Sequence, residues 1–165
     1  MKHAGPITSR AINVSDDILY SASVKSSLTT ASSASDDASI KLSRCSFCSG
    51  DRPYSLTITL LAKYSPVKAF TLASDGGILY GECSDGYVHY WLKGWFSGQL
   101  QYGAALQGHT HAVMCLANVG NYVVSGSADS SCQVWVGDPQ DGQHRCFAAL
   151  QSHSRPIRCV AAFLG

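Results

Sequence analysis

The sequence predicts an all-β fold, a partial propeller with about three four-stranded antiparallel blades plus the first strand of a fourth. Its apolar runs are short, rich in β-branched and aromatic residues, and closed by turn residues. No window keeps a 3.6-residue apolar rhythm over about ten residues, so helices are not expected. One pattern also recurs at a spacing of 44 residues, and a period of roughly 40–45 residues with four strands per unit is typical of a propeller blade.

The two central units, 56–98 and 99–142, show this repeat best. Each holds two short strands around an Asp-containing turn, in "GGILYGECSDGYVHYW" and "GNYVVSGSADSSCQVW". Asp85 precedes Trp91 by six residues, and Asp129 precedes Trp135 by the same six. The two Asp residues and the two Trp residues are each 44 positions apart.

The two outer units are less complete. The stretch "LQSHSRPIRCVAAF" repeats "LQGHTHAVMCLANV", so residues 143–165 begin a fourth unit. Residues 1–55 form a degenerate first unit, with Asp37 at the Asp position and Ser43 where the Trp would stand. Its segment 24–34 is rich in Ser, Thr and Ala, buries too little apolar surface to order itself, and is expected to be a flexible insert.

Composition and charge exclude several classes of protein. Hydrophobic residues make up 45% and charged residues 14% of the 165 positions, an ordinary globular balance. A net charge of +1 gives no electrostatic basis for binding nucleic acid or an anionic membrane. The N-terminus lacks the apolar core of a signal peptide, and no stretch approaches the roughly 18 apolar residues of a membrane span. Seven cysteines without framework spacing favour free thiols, hence a location in the cytoplasm or nucleus.

These units resemble the WD40-repeat (transducin-like) β-propeller family, and the amino-acid sequence of the second and third units is similar to that of plant JINGUBANG-type WD-repeat proteins. The best match is Gly108-His109, Ser127-Ala128-Asp129 and Val134-Trp135. The resemblance implies a buried hydrogen-bonded chain of Trp, Ser or Thr, His and Asp that stabilises a blade. We assign to it His109, Ser127, Asp129 and Trp135, with Ser125 as the alternative hydroxyl, and Asp85 and Trp91 in the second unit, where Lys63 replaces the His.

A Ser-His-Asp hydrolase is the alternative interpretation of the same residues. It requires an exposed nucleophile and an oxyanion hole, and the sequence contains no G-x-S-x-G elbow. The spacing recurs in a unit that lacks the His, which favours a scaffold over a catalytic site. Burial discriminates the two, because a network is shielded from solvent and a catalytic set opens onto a pocket.

Partner-binding residues are expected on loops, since loops on a rigid scaffold usually carry binding. In the resembled family the loop before the innermost strand often faces partners, and by alignment this position holds Tyr64, His111 and Arg155. Trp95 and Phe96 lie between two predicted strands and are candidate aromatic anchors. The expected partners are proteins or peptides.

No metal ligands and no cofactor are predicted. Cys45 and Cys48 form one C-x-x-C, which is half a zinc site without a second pair. The pair His109 and His111 is more simply one network His and one loop His. Cys115 and Cys159 occupy equivalent positions and are expected to be small, inert packing residues. Phosphate-binding glycine loops are absent from the sequence.

The sequence therefore predicts a non-catalytic interaction scaffold, with an adaptor or substrate-receptor subunit of a larger complex as the alternative. Closed propellers have 4–8 blades, and three leave apolar end faces bare. Three explanations are open. The chain is a fragment or truncated gene model of a longer propeller, which is favoured, or it associates with copies of itself to close a ring, or it persists as an open arc.

Overall fold

The computed structural model describes residues 7–13, 18–23, 39–45, 54–61, 67–94, 100–138 and 142–163. Every regular element in these ranges is a strand, and none of them contains a helix that could cross a membrane. In chain order the strands are β1 (Ile7–Asn13), β2 (Ile18–Ser23), β3 (Ser39–Cys45), β4 (Tyr54–Leu61), β5 (Val67–Leu72), β6 (Ile78–Cys83), β7 (Val88–Lys93), β8 (Leu100–Leu106), β9 (Val113–Val119), β10 (Tyr122–Ser127), β11 (Cys132–Gly137) and β12 (His144–Leu150).

The strands form three four-stranded sheets, each with its strands in chain order, namely β1–β4, β5–β8 and β9–β12. Pairs with a defined register are antiparallel. The predicted all-β fold class is therefore confirmed. The chain divides into two compact units, Met1–Lys68 and Ala69–Gly165, where the sequence analysis predicted one domain. The predicted insert at 24–34 lies outside the described residues.

The sheets are shifted along the chain relative to the predicted units. The second sheet ends with β8 at Leu106, and the third ends with β12 at Leu150. The predicted unit boundaries fall earlier, after residues 98 and 142. Each of these sheets thus takes its last strand from the beginning of the next sequence unit.

The core of the second compact unit lies between its two sheets. Alternate residues of a strand point to opposite faces, so one face of each sheet contributes its side chains to this core. Tyr80, Val88 and Tyr90 of β6 and β7 share one cluster with Val123 and Trp135 of β10 and β11. All five are at least 95% buried. Burying a side chain of this kind stabilises the fold by about 1.5–3 kcal/mol each.

The other face of the third sheet remains partly exposed. The residues 44 positions after Tyr80, Val88 and Tyr90 are Val124, Cys132 and Val134, and all three are only half-buried. Next to them the face exposes three large apolar side chains, Tyr122, Phe147 and Leu150, and the rings of the first two are in contact. We call these six residues the open face.

The segment predicted to begin a fourth blade, residues 151–163, is not a strand. Its Ile157 N–H donates a hydrogen bond to the Ser127 carbonyl at 3.0 Å, after the end of the third sheet. A β-ladder requires a neighbouring strand for its hydrogen bonds, and within the described ranges no strand pairs with this segment.

Candidate functional site

Four connecting segments lie together at one end of the second compact unit, which we call the loop end. They are the β6–β7 turn (84–87), the β8–β9 loop (107–112), the β10–β11 turn (128–131) and the segment after β12 (151–156). Gly86 lies directly against the carbonyls of His109 and His111, where a side chain would meet both oxygens at 3.1–3.2 Å. Its φ of +88° also favours glycine, so this position allows the turn to pack on the loop.

A buried chain of hydrogen bonds connects β11 to the loop at 107–112. The Trp135 Nε1–H donates to Ser125 Oγ at 2.8 Å, and Ser125 Oγ lies 2.8 Å from His109 Nε2. On the other side of the ring, His109 Nδ1 lies 3.1 Å from Asp129 Oδ2 and 3.0 Å from Ser131 Oγ. The His109 side chain is fully shielded from solvent.

One assignment of protons satisfies every member of this chain. If Nδ1 of His109 carries the proton, it donates toward Asp129 and Ser131, and Nε2 accepts the hydroxyl proton of Ser125. The Ser125 oxygen then accepts from Trp135, whose indole can only donate. We assign this tautomer because a buried polar network stabilises a fold only when all of its members are paired.

The hydroxyl in the chain belongs to Ser125, the alternative residue of the sequence analysis, and not to Ser127. Both side chains lie on one face of β10, but Ser127 is next to the turn. Its Oγ lies 3.0 Å from the carbonyls of His111 and Ala112, to which it donates, and it accepts from the Asp129 N–H at 3.2 Å. Ser127 therefore fixes the backbone of the exposed loop.

Gly108 of the Gly-His pair has a packing reason. A Cβ at this position would overlap the side-chain amide of Gln133, which is buried on β11. The close approach of the loop backbone to β11 places His109 next to Ser125. The two residues of the pair thus act together. Gly108 allows the loop backbone to approach Gln133, and His109 then reaches Ser125 in the network.

Asp129 accepts four hydrogen bonds at the loop end. The donors are the Thr110 N–H at 2.9 Å, the Ser131 N–H at 2.8 Å, the Ser131 hydroxyl at 2.6 Å and His109. Burial by itself raises the pKa of this carboxyl, but the bonds from Ser131 and Thr110, with His109, outweigh it and hold the pKa well below its usual value. Asp129 is therefore an ionised anchor for two segments.

The low pKa of Asp129 predicts a loss of stability in acid. A folded-state pKa below the unfolded value of about 3.9 contributes stability that is complete above that value and is lost as the pH falls through the folded pKa. We expect Asp129→Asn to cost about 1–3 kcal/mol near neutral pH. The difference in unfolding free energy between wild type and Asp129→Asn should decrease as the pH falls from about 5 to about 2. Urea unfolding at a series of pH values measures it.

Ser131→Ala is the matched control for this acid series, because it keeps the carboxylate and removes only one hydroxyl donor. As the pH falls, the difference in unfolding free energy between Ser131→Ala and wild type should decrease less than the difference between Asp129→Asn and wild type. A gap for Asp129→Asn that stays constant down to about pH 2 would contradict the assigned role of this carboxylate.

The second sheet holds a different cluster at the equivalent positions. Asp85 Oδ2 lies 3.1 Å from His89 Nε2, and His89 Nδ1 lies 3.0 Å from Tyr102 Oη. Trp91 contacts His89 and Tyr102 through its rings, at centroid distances of 6.5 and 6.1 Å. Gly81 occupies the position of Ser125, so the chain predicted for Asp85 and Trp91 has no hydroxyl there to complete it.

Sequence analysis missed four residues of these clusters, namely Thr110, Ser131, His89 and Tyr102. Two of them carried a usable signal. Ser131 stands two residues after Asp129, a spacing at which side chains commonly bond the local backbone. His89 stands four residues after Asp85 across a tight turn, which brings the two side chains to one end of a hairpin.

The candidate partner-binding residues separate into two groups. His111 and Arg155 are exposed at the loop end, and the Thr110 hydroxyl is 3.0 Å from His111 Nδ1. Tyr64, Trp95 and Phe96 lie outside the described residues.

The two equivalent cysteines, Cys115 and Cys159, have different surroundings. Cys115 is half-buried, with its Sγ 3.6 Å from the Ile157 carbonyl, whereas Cys159 is exposed. Burial, together with the Glu82 carboxylate, raises the pKa of the Cys115 thiol to about 11. On the second sheet Cys83 is fully buried, and burial followed by the Asp85 and Glu82 carboxylates raises the pKa of its thiol far above the usual value.

We expect iodoacetamide to alkylate the exposed Cys159 faster than Cys115 by about tenfold or more, because burial shields the Cys115 sulfur and raises the pKa of its thiol, which leaves less of the reactive thiolate. Peptide mass spectrometry after timed labelling of the native protein measures both rates. Labelling in denaturant is the control and should equalise them. Equal rates in the native protein would contradict the burial of Cys115.

Comparison with known proteins identifies part of the chain. Residues 100–136 match the family model described as "WD40: WD domain, G-beta repeat". This segment is therefore similar to a WD40 repeat. It extends from β8 to β11, so it contains the whole network of His109, Ser125, Asp129 and Trp135. No curated protein matches the sequence.

Solved structures extend the WD40 likeness over nearly the whole chain as a fold. Saccharomyces cerevisiae Sqt1 superposes with a TM-score of 0.75 at 16% identity, over 94% of this chain and 38% of that one. U3-55K superposes with a TM-score of 0.70 at 21% identity, over 98% of this chain and 43% of that one. The RRP9 WD40 repeats superpose with a TM-score of 0.69 at 21% identity, over 98% of this chain and 42% of that one. The predicted fold, a partial WD40 propeller, is thus confirmed, and the chain spans about two fifths of these structures.

Proposed function

We propose that the whole chain is a run of WD40 repeats that acts as a non-catalytic scaffold and binds protein or peptide partners at the loop end. One observation carries the proposal. The partly buried Asp129 and the buried Ser127 hold the backbone of the exposed loop at Thr110 and His111, through bonds of 2.9 and 3.0 Å. A loop fixed in this way presents its side chains without a large entropic cost on binding.

The chemistry of this surface favours an acidic segment in the partner. Arg155 is exposed at the loop end, and it has no ion pair with any residue in the described ranges. An arginine can bind a carboxylate through two parallel hydrogen bonds, which gives both strength and orientation. The exposed His111, on the loop at 107–112, adds a further polar group at the loop end.

Burial supports the scaffold over a hydrolase. Ser125 is 0% exposed and the His109 side chain is 0% exposed, so the Ser-His-Asp set has no open face toward a substrate. A Ser nucleophile must be reachable by the bond that it attacks. The hydrogen bond from Trp135 also occupies the Ser125 oxygen that such a reaction would use.

A peptide selection tests the proposed binding surface. Peptides selected on the full chain should lose affinity by about tenfold or more when His111 and Arg155 are both replaced by alanine, as expected for the loss of charged contacts. Asn121→Ala is the control, because Asn121 is an exposed residue of the β9–β10 turn, away from the loop end. Selected peptides that bind the double variant as well as wild type would contradict the proposal.

Finer features are part of the same proposal. The similarity of the second and third units to plant JINGUBANG-type proteins supports a regulatory scaffold in a plant cell, in the cytoplasm or nucleus. An adaptor role in a larger complex is the related alternative. Localisation of a tagged full-length protein in plant cells tests this part, and a secreted product would contradict it.

We also propose that the open face, Tyr122, Val124, Cys132, Val134, Phe147 and Leu150, is covered by a further blade. The equivalent face of the preceding sheet is buried in the core. In the isolated chain a second copy can supply that blade. Light scattering behind a sizing column, with a thermal melt, tests this, and Phe147→Glu should weaken association. A discrete oligomer supports closure by copies, whereas a stable monomer at all concentrations contradicts it.

A further inference from the structure

Three side chains with metal-binding atoms meet at the β6–β7 hairpin of the second sheet. They are Cys83, Asp85 and His89, and one ligand atom of each lies within 4.8 Å of the other two. Thiolate, carboxylate and imidazole are the three ligand types that zinc accepts in proteins. We propose that this hairpin binds Zn²⁺ through Cys83 Sγ, a carboxylate oxygen of Asp85 and His89 Nε2.

The hairpin geometry explains why the three residues converge. Gly81 pairs with His89 across the two strands, so Cys83, two residues further along β6, lies on the same face as His89. Asp85 occupies the turn between them. Its Oδ1 accepts the Tyr87 N–H at 3.0 Å, which fixes the carboxylate and directs Oδ2 to His89.

His89 is held in the orientation that a metal ligand needs. Its Nδ1 lies 3.0 Å from Tyr102 Oη, and its Nε2 lies 3.1 Å from the Asp85 carboxylate. Metal-ligating histidines almost always use their other ring nitrogen in a hydrogen bond that fixes tautomer and orientation. Tyr102 supplies this second contact, with the Nδ1 proton donated to its oxygen and Nε2 left to coordinate.

The distances fit a tetrahedral site after a small adjustment. Bond lengths of about 2.0–2.3 Å place two ligands of one zinc roughly 3.3–3.7 Å apart. The Asp85 and His89 atoms are already at 3.1 Å, and the sulfur, within 4.8 Å, needs to approach by about 1.5 Å at most. The Asp85 side chain is 22% exposed, which gives the ion an entry side and leaves room for water as the fourth ligand.

The third sheet provides an internal comparison. The residues 44 positions after Cys83, Asp85 and His89 are Ser127, Asp129 and Gln133. There the carboxylate is saturated by protein donors, and no sulfur or ring nitrogen stands at the other two positions. Cys83→Ser and His89→Gln install the residues of the third sheet, so a WD40-type sheet accommodates both substitutions.

Cobalt titration of the full chain tests the proposal. The reduced protein, freed of metal with a chelator, is titrated with Co²⁺ and then with Zn²⁺. We expect one equivalent of cobalt with a thiolate-to-cobalt charge-transfer band, which Zn²⁺ abolishes by displacement. Zn²⁺ should also raise the melting temperature, because it binds the folded state. Absence of the band in the wild-type protein would overturn the proposal.

Variants locate the site. Cys83→Ser should remove the charge-transfer band, and His89→Gln should weaken cobalt binding at least tenfold. Cys132→Ser, a half-buried thiol of the third sheet, is the control and should keep both. Circular dichroism without metal verifies that each variant is folded, and Asp85→Asn replaces any variant that is not. A band that persists in Cys83→Ser would place the cobalt on other cysteines and refute the site.

Discussion

Replacement of His109 by alanine is expected to lower the free energy of unfolding by about 2–4 kcal/mol. The substitution removes the group between two buried partners, so the Ser125 hydroxyl loses its acceptor and Asp129 loses one donor. It also leaves a cavity where a fully shielded ring had been. Urea unfolding followed by far-ultraviolet circular dichroism measures the loss.

His111→Ala is the matched control for His109→Ala. His111 lies two residues later in the same loop and is exposed, so its replacement should change the unfolding free energy by about 0.5 kcal/mol or less. If His109→Ala were as stable as wild type, the network role of His109 would be wrong, and a chemical role for this residue would have to be considered again.

Replacement of Trp135 by alanine should be the most destabilising single change, with a loss of about 3–5 kcal/mol. The indole is 3% exposed and belongs to the core cluster that joins the second and third sheets. Its N–H also donates to Ser125, so the change removes apolar burial and a network donor together.

Trp135→Phe separates the two contributions of the indole. It keeps most of the buried ring and removes the N–H, so we expect a smaller loss of about 1–2 kcal/mol. Phe163→Ala is the control for loss of an aromatic ring, because Phe163 is 85% exposed and does not belong to the open face. Equal effects of Trp135→Ala and Trp135→Phe would show that packing contributes little at this position.

The 44-residue period predicted the all-β repeat fold, because it aligns Asp85 with Asp129 and Trp91 with Trp135. The resemblance to WD40 repeats, and not the period, implied that His109, Asp129 and Trp135 form one hydrogen-bonded network. It could not choose between Ser125 and Ser127, which lie on the same face of β10. The choice depends on the turn, since Ser127 bonds the loop carbonyls and Ser125 is left for the indole.

The same period concealed His89. Its counterpart 44 residues later is Gln133, so the alignment gave no reason to select it. A repeat period also does not define where each sheet begins and ends, because shifting every unit boundary by the same number of residues leaves the period unchanged. The sheet limits at Leu106 and Leu150 are set by strand pairing, which the sequence pattern does not encode. Residues 151–163 match a strand by alignment, but within the described ranges they pair with no neighbouring strand.

The shift between sheets and sequence units determines where this chain could be recombined. A crossover after residue 142 would leave the third sheet without β12 and expose an edge, which invites aggregation. A crossover after Val113 would separate His109 from the sheet that it supports. The segment 107–150 begins before the loop and ends with β12, so it carries a complete sheet and all members of its network. We therefore expect residues 107–150 to be the segment that can be exchanged as a unit.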